Sequence, residues 1–223
     1  MNPAATWRAM RHRPDLSVAV TTLLALLAWD ASALDRSLIE PFASASGFAW
    51  RHHWLTQQVI HDGGRGLAMA VLAVLAVNVW RPWSPRLRRA EVGRALAATV
   101  VCLLAVPTFK RFSTTSCPWD QSAWGGVAQW VSHWSWGVAD GGPGHCFPSG
   151  HAVAAFAFLS GFFLLRDAHP RAARLWLTAV LAVGTVFGAA QMVRGAHYAS
   201  HTMWSAWLCW VICAVALARR QTA

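Results

Sequence analysis

Apolar residues gather in six stretches, at 16–34, 66–80, 95–109, 152–165, 175–193 and 202–218, and most of the charge lies between them. A helix needs about 20 apolar residues to cross a bilayer. The pattern therefore predicts an all-α polytopic membrane protein, a six-transmembrane-helix bundle in which the shorter spans rely on tilt and flanking tryptophan. With no internal repeat, low-complexity linker or second domain, residues 1–223 read as one integral-membrane domain. Two connections are long. Residues 35–65 carry Phe42, Phe48, Trp50, Trp54, Leu55, Val59 and Ile60 and are expected to lie as an amphipathic helix on the membrane surface. Residues 110–151 carry Trp119, Trp124, Trp130, Trp134 and Trp136, a residue type that favours the bilayer interface.

Composition agrees with the pattern. Hydrophobic residues make up 56% of the chain and charged residues 13%, against roughly 25% charged in a soluble domain. A formal net charge of +10 raises a nucleic-acid reading, but the arginines fall in short clusters between apolar runs and form no continuous basic face. The expected partners are the lipid bilayer and a membrane lipid, with no nucleic acid; oligomeric state is left open.

The clusters orient the bundle. Arg8, Arg11 and Arg13 precede the first apolar run; Arg81, Arg86, Arg88, Arg89 and Arg94 follow the second; Arg166, Arg171 and Arg174 follow the fourth; Arg219 and Arg220 follow the last. By the positive-inside rule, both termini are cytoplasmic and the other connections face out. The basic start, apolar run and Ala31-Ser32-Ala33 also fit a secretory signal with a cleavage site. Retention as a span is favoured, because the charge pattern needs an even number of spans.

Candidate chemistry collects on the outward side. Lys110, the only lysine, ends the third run; Pro148, Ser149, Gly150 and His151 open the fourth; Arg194, His197 and His201 lie at the join of the fifth and sixth. A Ser-Gly turn at a helix start offers unpaired N–H groups and a positive dipole end to an anion. Cations and N–H donors around two imidazoles are what phosphoryl transfer requires: one to hold the oxygens, one imidazole to attack, another to protonate the leaving oxygen.

These residues resemble the type 2 phosphatidate phosphatase superfamily, which includes bacterial lipid phosphatases and vanadium haloperoxidases. Its marks are Lys, six residues, Arg-Pro; then Pro-Ser-Gly-His; then Ser-Arg, five residues, His, three residues, Asp. Pro148 to His151 match the second motif fully. Lys110 and Pro118 match the first, with Cys117 at its arginine; His197 matches the third, with Gln191 at its arginine and His201 at its aspartate. Arg194, three residues after Gln191, can take over one missing arginine, and Arg111 the other.

The resemblance implies a metal-free lipid phosphatase with no cofactor. His197 would attack phosphorus, His151 would protonate the leaving oxygen, and His201 would accept the His197 N–H. Lys110, Arg194, Ser149 and Gly150 would hold the phosphoryl oxygens. Outward placement of Cys117 and Cys146 allows a disulfide in an oxidising periplasm, against two separately buried thiols. The implied setting is a bacterial inner (cytoplasmic) membrane with the site facing the periplasm. The implied substrate is a lipid phosphate or diphosphate, with undecaprenyl diphosphate favoured. A lipid phosphotransferase, a lipid A phosphatase and a non-catalytic lipid-binding relative are the alternatives; a haloperoxidase and an intramembrane serine protease fit the residues less well.

Overall fold

A computed structural model describes residues 14–218 except Trp136. The arginines at 8, 11, 13, 219 and 220, and Trp136, lie outside the described residues. The chain runs α1 (Pro14–Asp30), α2 (Leu34–Ile39), a two-residue hairpin (Ala43–Ser44 with Gly47–Phe48), a π-helix (Leu55–Gly63) continuous with α3 (Gly64–Trp80), and α4 (Arg89–Phe112). After a long connection come α5 (Val153–Phe156), α6 (Leu159–Leu165), α7 (Pro170–Val193) and α8 (Ala199–Ala216).

Every predicted apolar run is helical, but the count of six spans is not upheld. Among the described residues, four helices are long and apolar enough to cross a membrane: Leu55–Trp80, Arg89–Phe112, Pro170–Val193 and Ala199–Ala216. A fifth arises only if Pro14–Asp30 and Leu34–Phe42, bent by 77°, count together. The fourth predicted span, Val153–Leu165, is a shorter helix. At 1.5 Å per residue its rise is about 20 Å, short of a hydrocarbon core of about 30 Å.

Helix α8 packs against most of the others, and α7 approaches it closely through small residues. A Cβ at Gly184 would come within 2.2 Å of the Phe156 ring, and one at Gly188 within 2.4 Å of Thr202. Small residues four apart thus let α7 lie directly on α5 and α8, the usual solution where lipid supplies no hydrophobic drive between helices. Polar side chains pair inside: Thr99 with Ser160 at 2.6 Å, and the Ser205 hydroxyl donating to the Ser149 carbonyl at 2.8 Å. Large apolar residues such as Leu24, Leu67, Leu104 and Leu175 point outward, as a lipid-facing surface requires.

The two long connections are built from short pieces. Residues 35–65 do not form one continuous helix: Leu34–Ile39 and Leu55–Gly63 are helical, and between them Gly47 (φ +106°) turns the hairpin while Ile39 and Phe48 are buried with Trp124 and Tyr198 in a second small core. Among the described residues of 113–152 the regular structure is 3-10 turns at Pro118–Asp120 and Ser122–Trp124 and a single bridge between Gln121 and Ala128. Among the described tryptophans of that connection, Trp124 is buried, Trp130 is exposed, and the Trp134 indole donates to Asp30 at 2.9 Å.

Arginine-bearing connections meet at one end of the bundle. Arg166 donates to the Asp15 carboxylate at 2.7 Å, Arg86 to the Ala168 carbonyl at 3.4 Å, and His169 bonds Ser84 at 2.8 Å. The N-terminal segment is tied in there, with the Trp207 and Trp210 indoles of α8 donating to the Ala19 and Asp15 carbonyls. Lys110, Ser149–His151 and Arg194–His197 lie at the opposite helix ends.

Candidate active site

The backbone places the two histidines on turns rather than on helices. Helix α7 ends in a Schellman motif: the Ala196 N–H bonds the Gln191 carbonyl, the Gly195 N–H bonds Met192, and Gly195 takes the left-handed conformation (φ +74°). A Cβ at Gly195 would strike the Phe48 ring at 2.4 Å, so glycine is required twice over. The next residue but one is His197, fully buried before α8 begins. On the other side, the Ser149 N–H donates to the His201 carbonyl at 3.1 Å and fixes the Pro-Ser-Gly-His turn to α8.

His197 turns Nδ1 toward two neighbours. His201 Nδ1 lies at 3.4 Å and the Cys146 sulfur at 3.5 Å. Cys117 and Cys146 are joined as a disulfide, with Cα atoms 5.1 Å apart. Two of the departures from the family pattern, Cys117 and His201, thus converge on one imidazole. Nε2 is left for chemistry. Both sulfurs and a His197 ring nitrogen lie within 4.8 Å of one another, which could hold a metal ion; joined in a disulfide, the sulfurs are not the thiolates such an ion needs.

Around His197 stand His151, with ring centres 5.7 Å apart, and Lys110, whose stem crosses Gly150. Burial, then the charge of Lys110, holds the His197 imidazole well below its ordinary range. Burial also lowers His151, to about 3, with His61, Lys110, Arg194 and Arg65 adding to the effect. Both imidazoles are neutral at pH 7, the state in which a ring nitrogen has a lone pair to attack with.

The expected phosphate ligands are placed unequally. Lys110, Gly150 and His151 share one corner. Arg194 is buried beside Gln191, its Nη1 3.5 Å from the Gln191 amide oxygen and its Nε donating to the Arg51 carbonyl at 3.0 Å. Ser149 is fully buried, and its hydroxyl accepts the Ala152 N–H at 3.5 Å, which makes it a brace of the turn. The helix behind that turn, α5, has only four residues. The expected membrane-length helix is thus not behind it, Val153–Leu165 being short and broken after Phe156, and the N–H groups of Gly150 and His151 are what the turn offers an anion. Arg111 is exposed.

Other contributors come from the segment before α4 and escaped the sequence reading. His61 and Arg65 line a cavity of about 470 Å³ together with Gly150, His151 and Gln191. The rest of its wall is apolar, including Met69, Leu72, Leu103 and Phe187. Their spacing is the signal that could have revealed them, since residues four apart share a helix face and these two stand at the mouth of an apolar run. Asp35 accepts bonds from the Ser200 N–H (2.9 Å), the Ser200 hydroxyl and the Trp29 indole, capping the helix that carries His201. Asp30 accepts from His133, Trp134 and Trp204. No sequence pattern marks either partner.

No curated protein sequence and no solved structure matches the chain. The family model described as "PAP2 superfamily" matches residues 90–223, from α4 to the end, and that stretch holds Lys110, the Pro-Ser-Gly-His turn and His197. With more than half of its length matched, the chain belongs to the PAP2 superfamily.

Proposed function

We propose that this chain is a membrane lipid phosphatase that works through a phosphohistidine. Members of its superfamily are phosphatases acting on phosphate esters, often of lipids. The observation that carries the lipid reading is the cavity of about 470 Å³: its wall is largely apolar, and Gly150, His151 and Arg65 are part of its lining. A phosphate against those groups and a hydrocarbon tail along the apolar wall would both be matched. In the reaction, His197 Nε2 forms a bond to phosphorus as the phosphorus–oxygen bond to the lipid breaks. The lipid oxygen takes a proton from His151, and water then cleaves the phosphohistidine. Lys110, Arg194 and the N–H groups of the Gly150 turn hold the phosphoryl oxygens, and Arg65 supplies a cation where the family's motif arginines are missing. An undecaprenyl-type diphosphate processed at the periplasmic face of a bacterial inner membrane remains the favoured substrate and setting.

Transfer of the phosphoryl group to a second lipid is favoured by a second cavity, of about 460 Å³. It lies beside Phe147 and Pro148 and is walled by Phe109, Phe112, Trp134 and Trp204. The deciding measurement is phosphate release by the solubilised full chain from a panel of lipid mono- and diphosphates, with and without added acceptor lipid. Release without acceptor is expected, together with loss of at least about 10³-fold in His197→Ala, on the scale of removing a nucleophile. Release that persists in His197→Ala overturns the phosphohistidine, and product only with acceptor makes the chain a transferase.

A further inference from the structure

His151 does not stand alone. Its Nε2 lies 2.5 Å from Nε2 of His61, and the other nitrogen of His61, Nδ1, lies 2.6 Å from the Asp62 carboxylate. His61 and Asp62 sit on the π-helix ahead of α3, outside the part of the chain matched to the family. Meanwhile Nδ1 of His151 is buried with no hydrogen-bond partner among the described residues. A buried polar nitrogen without a partner is costly, which points to a partner that arrives with the substrate.

We propose, resting on the phosphatase reading above, that His61 and Asp62 form a proton relay that feeds the leaving group through His151. With the relay loaded, His61 holds a proton on each ring nitrogen and donates Nδ1–H to Asp62 and Nε2–H to His151, whose own proton is on Nδ1. As the lipid phosphorus–oxygen bond breaks, the lipid oxygen takes the Nδ1 proton of His151, and His151 Nε2 takes the proton of His61. Both imidazoles end neutral, one proton has moved from His61 to the alcohol, and Asp62 stays ionised. When water attacks the phosphohistidine the sequence reverses: His151 Nδ1 accepts the water proton, and Nε2–H returns to His61.

The relay resolves a conflict in the site. A general acid must deliver a proton near neutral pH, yet burial and the surrounding cations keep His151 from becoming an imidazolium. Passing a proton through the ring lets His151 act without ever carrying the charge. The supply stands nearer water: the His61 side chain is 26% exposed and that of Asp62 62% exposed.

The test uses the dependence on leaving group. An alkyl alcohol cannot depart without a proton, whereas 4-nitrophenolate can, so a relay matters for dodecyl phosphate and much less for 4-nitrophenyl phosphate. First-turnover release of each alcohol is measured on the solubilised full chain, wild type, His61→Gln and Asp62→Asn. His61→Gln is expected to lose about 10²-fold on the alkyl ester, within the range for acid–base groups, and at least tenfold less on the aryl ester. Asp62→Asn is expected to show the same selectivity at smaller size and, being an exposed position, to keep the fold intact. Equal losses on both esters, or none on the alkyl ester, would overturn the relay while leaving the phosphatase standing. A wild-type chain inactive on both esters and on lipid phosphates overturns the phosphatase reading and the relay with it.

Discussion

Residues 90–223 bring Lys110, His151 and His197 to the site on backbone that is pinned locally, by the Schellman turn at Gly195, the disulfide and the bond from Ser149 to the His201 carbonyl. Residues 14–80 reach the same place from outside, with side chains at the ends of packed helices: Asp35 on Ser200, His61 on His151, Arg65 in the cavity wall. The first part carries the groups proposed to attack phosphorus and to hand its proton to the leaving oxygen. The second carries groups proposed to supply them, the His61 proton and the Arg65 cation, and one that holds them still, Asp35. Damage to the first should therefore stop turnover in a folded protein, and damage to the second should change stability or selectivity before it abolishes turnover.

The largest contrast, after the loss expected in His197→Ala, is in the disulfide. Cys117 and Cys146 close a loop with a sequence separation of 29, which contributes about 3–4 kcal/mol in the chain-entropy model. Thermal unfolding of the Cys117→Ala, Cys146→Ala double variant in detergent should fall well below wild type, and non-reducing peptide mapping of the wild type should recover the two cysteines linked. Because the bridge also faces His197 Nδ1, residual activity measured below the melting point should drop as well. A double variant as stable and as active as wild type would break the claim that this half is pinned locally.

On the other side of the comparison, Asp35→Ala removes the acceptor from the second N–H of α8. Losing such a cap costs about 1–2 kcal/mol, so the melting point should fall while activity per folded molecule stays near wild type. Activity lost without any loss of stability would place Asp35 among the groups that set chemistry and blur the division between the two parts.

The smallest effect is expected at His201. Its neutral ring can accept the His197 N–H but offers no negative charge. His201→Asp should keep at least a substantial share of phosphate release, whereas His201→Ala should lose part of it. Radiolabelled phosphate recovered on His201 instead of His197 would reverse the two roles and with them the direction in which the first part of the chain is read.

The apolar runs determined the helices, since helix is the structure that satisfies its own backbone in lipid. Local motifs determined that Lys110, Ser149–His151 and Arg194–His197 would share one end of the bundle. The arginine clusters foretold that the connections at 81–88 and 166–169 would meet at the other. The length of the run at 152–165 already made it shorter than the others, whereas only tertiary packing could decide that Ile39 and Phe48 join Trp124 and Tyr198 in a small core. The same packing seated His61 against His151, 90 positions away, and Asp35 against Ser200, 165 away. Periodicity and motif spacing reach only as far as one element, whereas a cap or a relay supplied by another helix depends on how the helices cross, and that depends on every contact in the bundle at once.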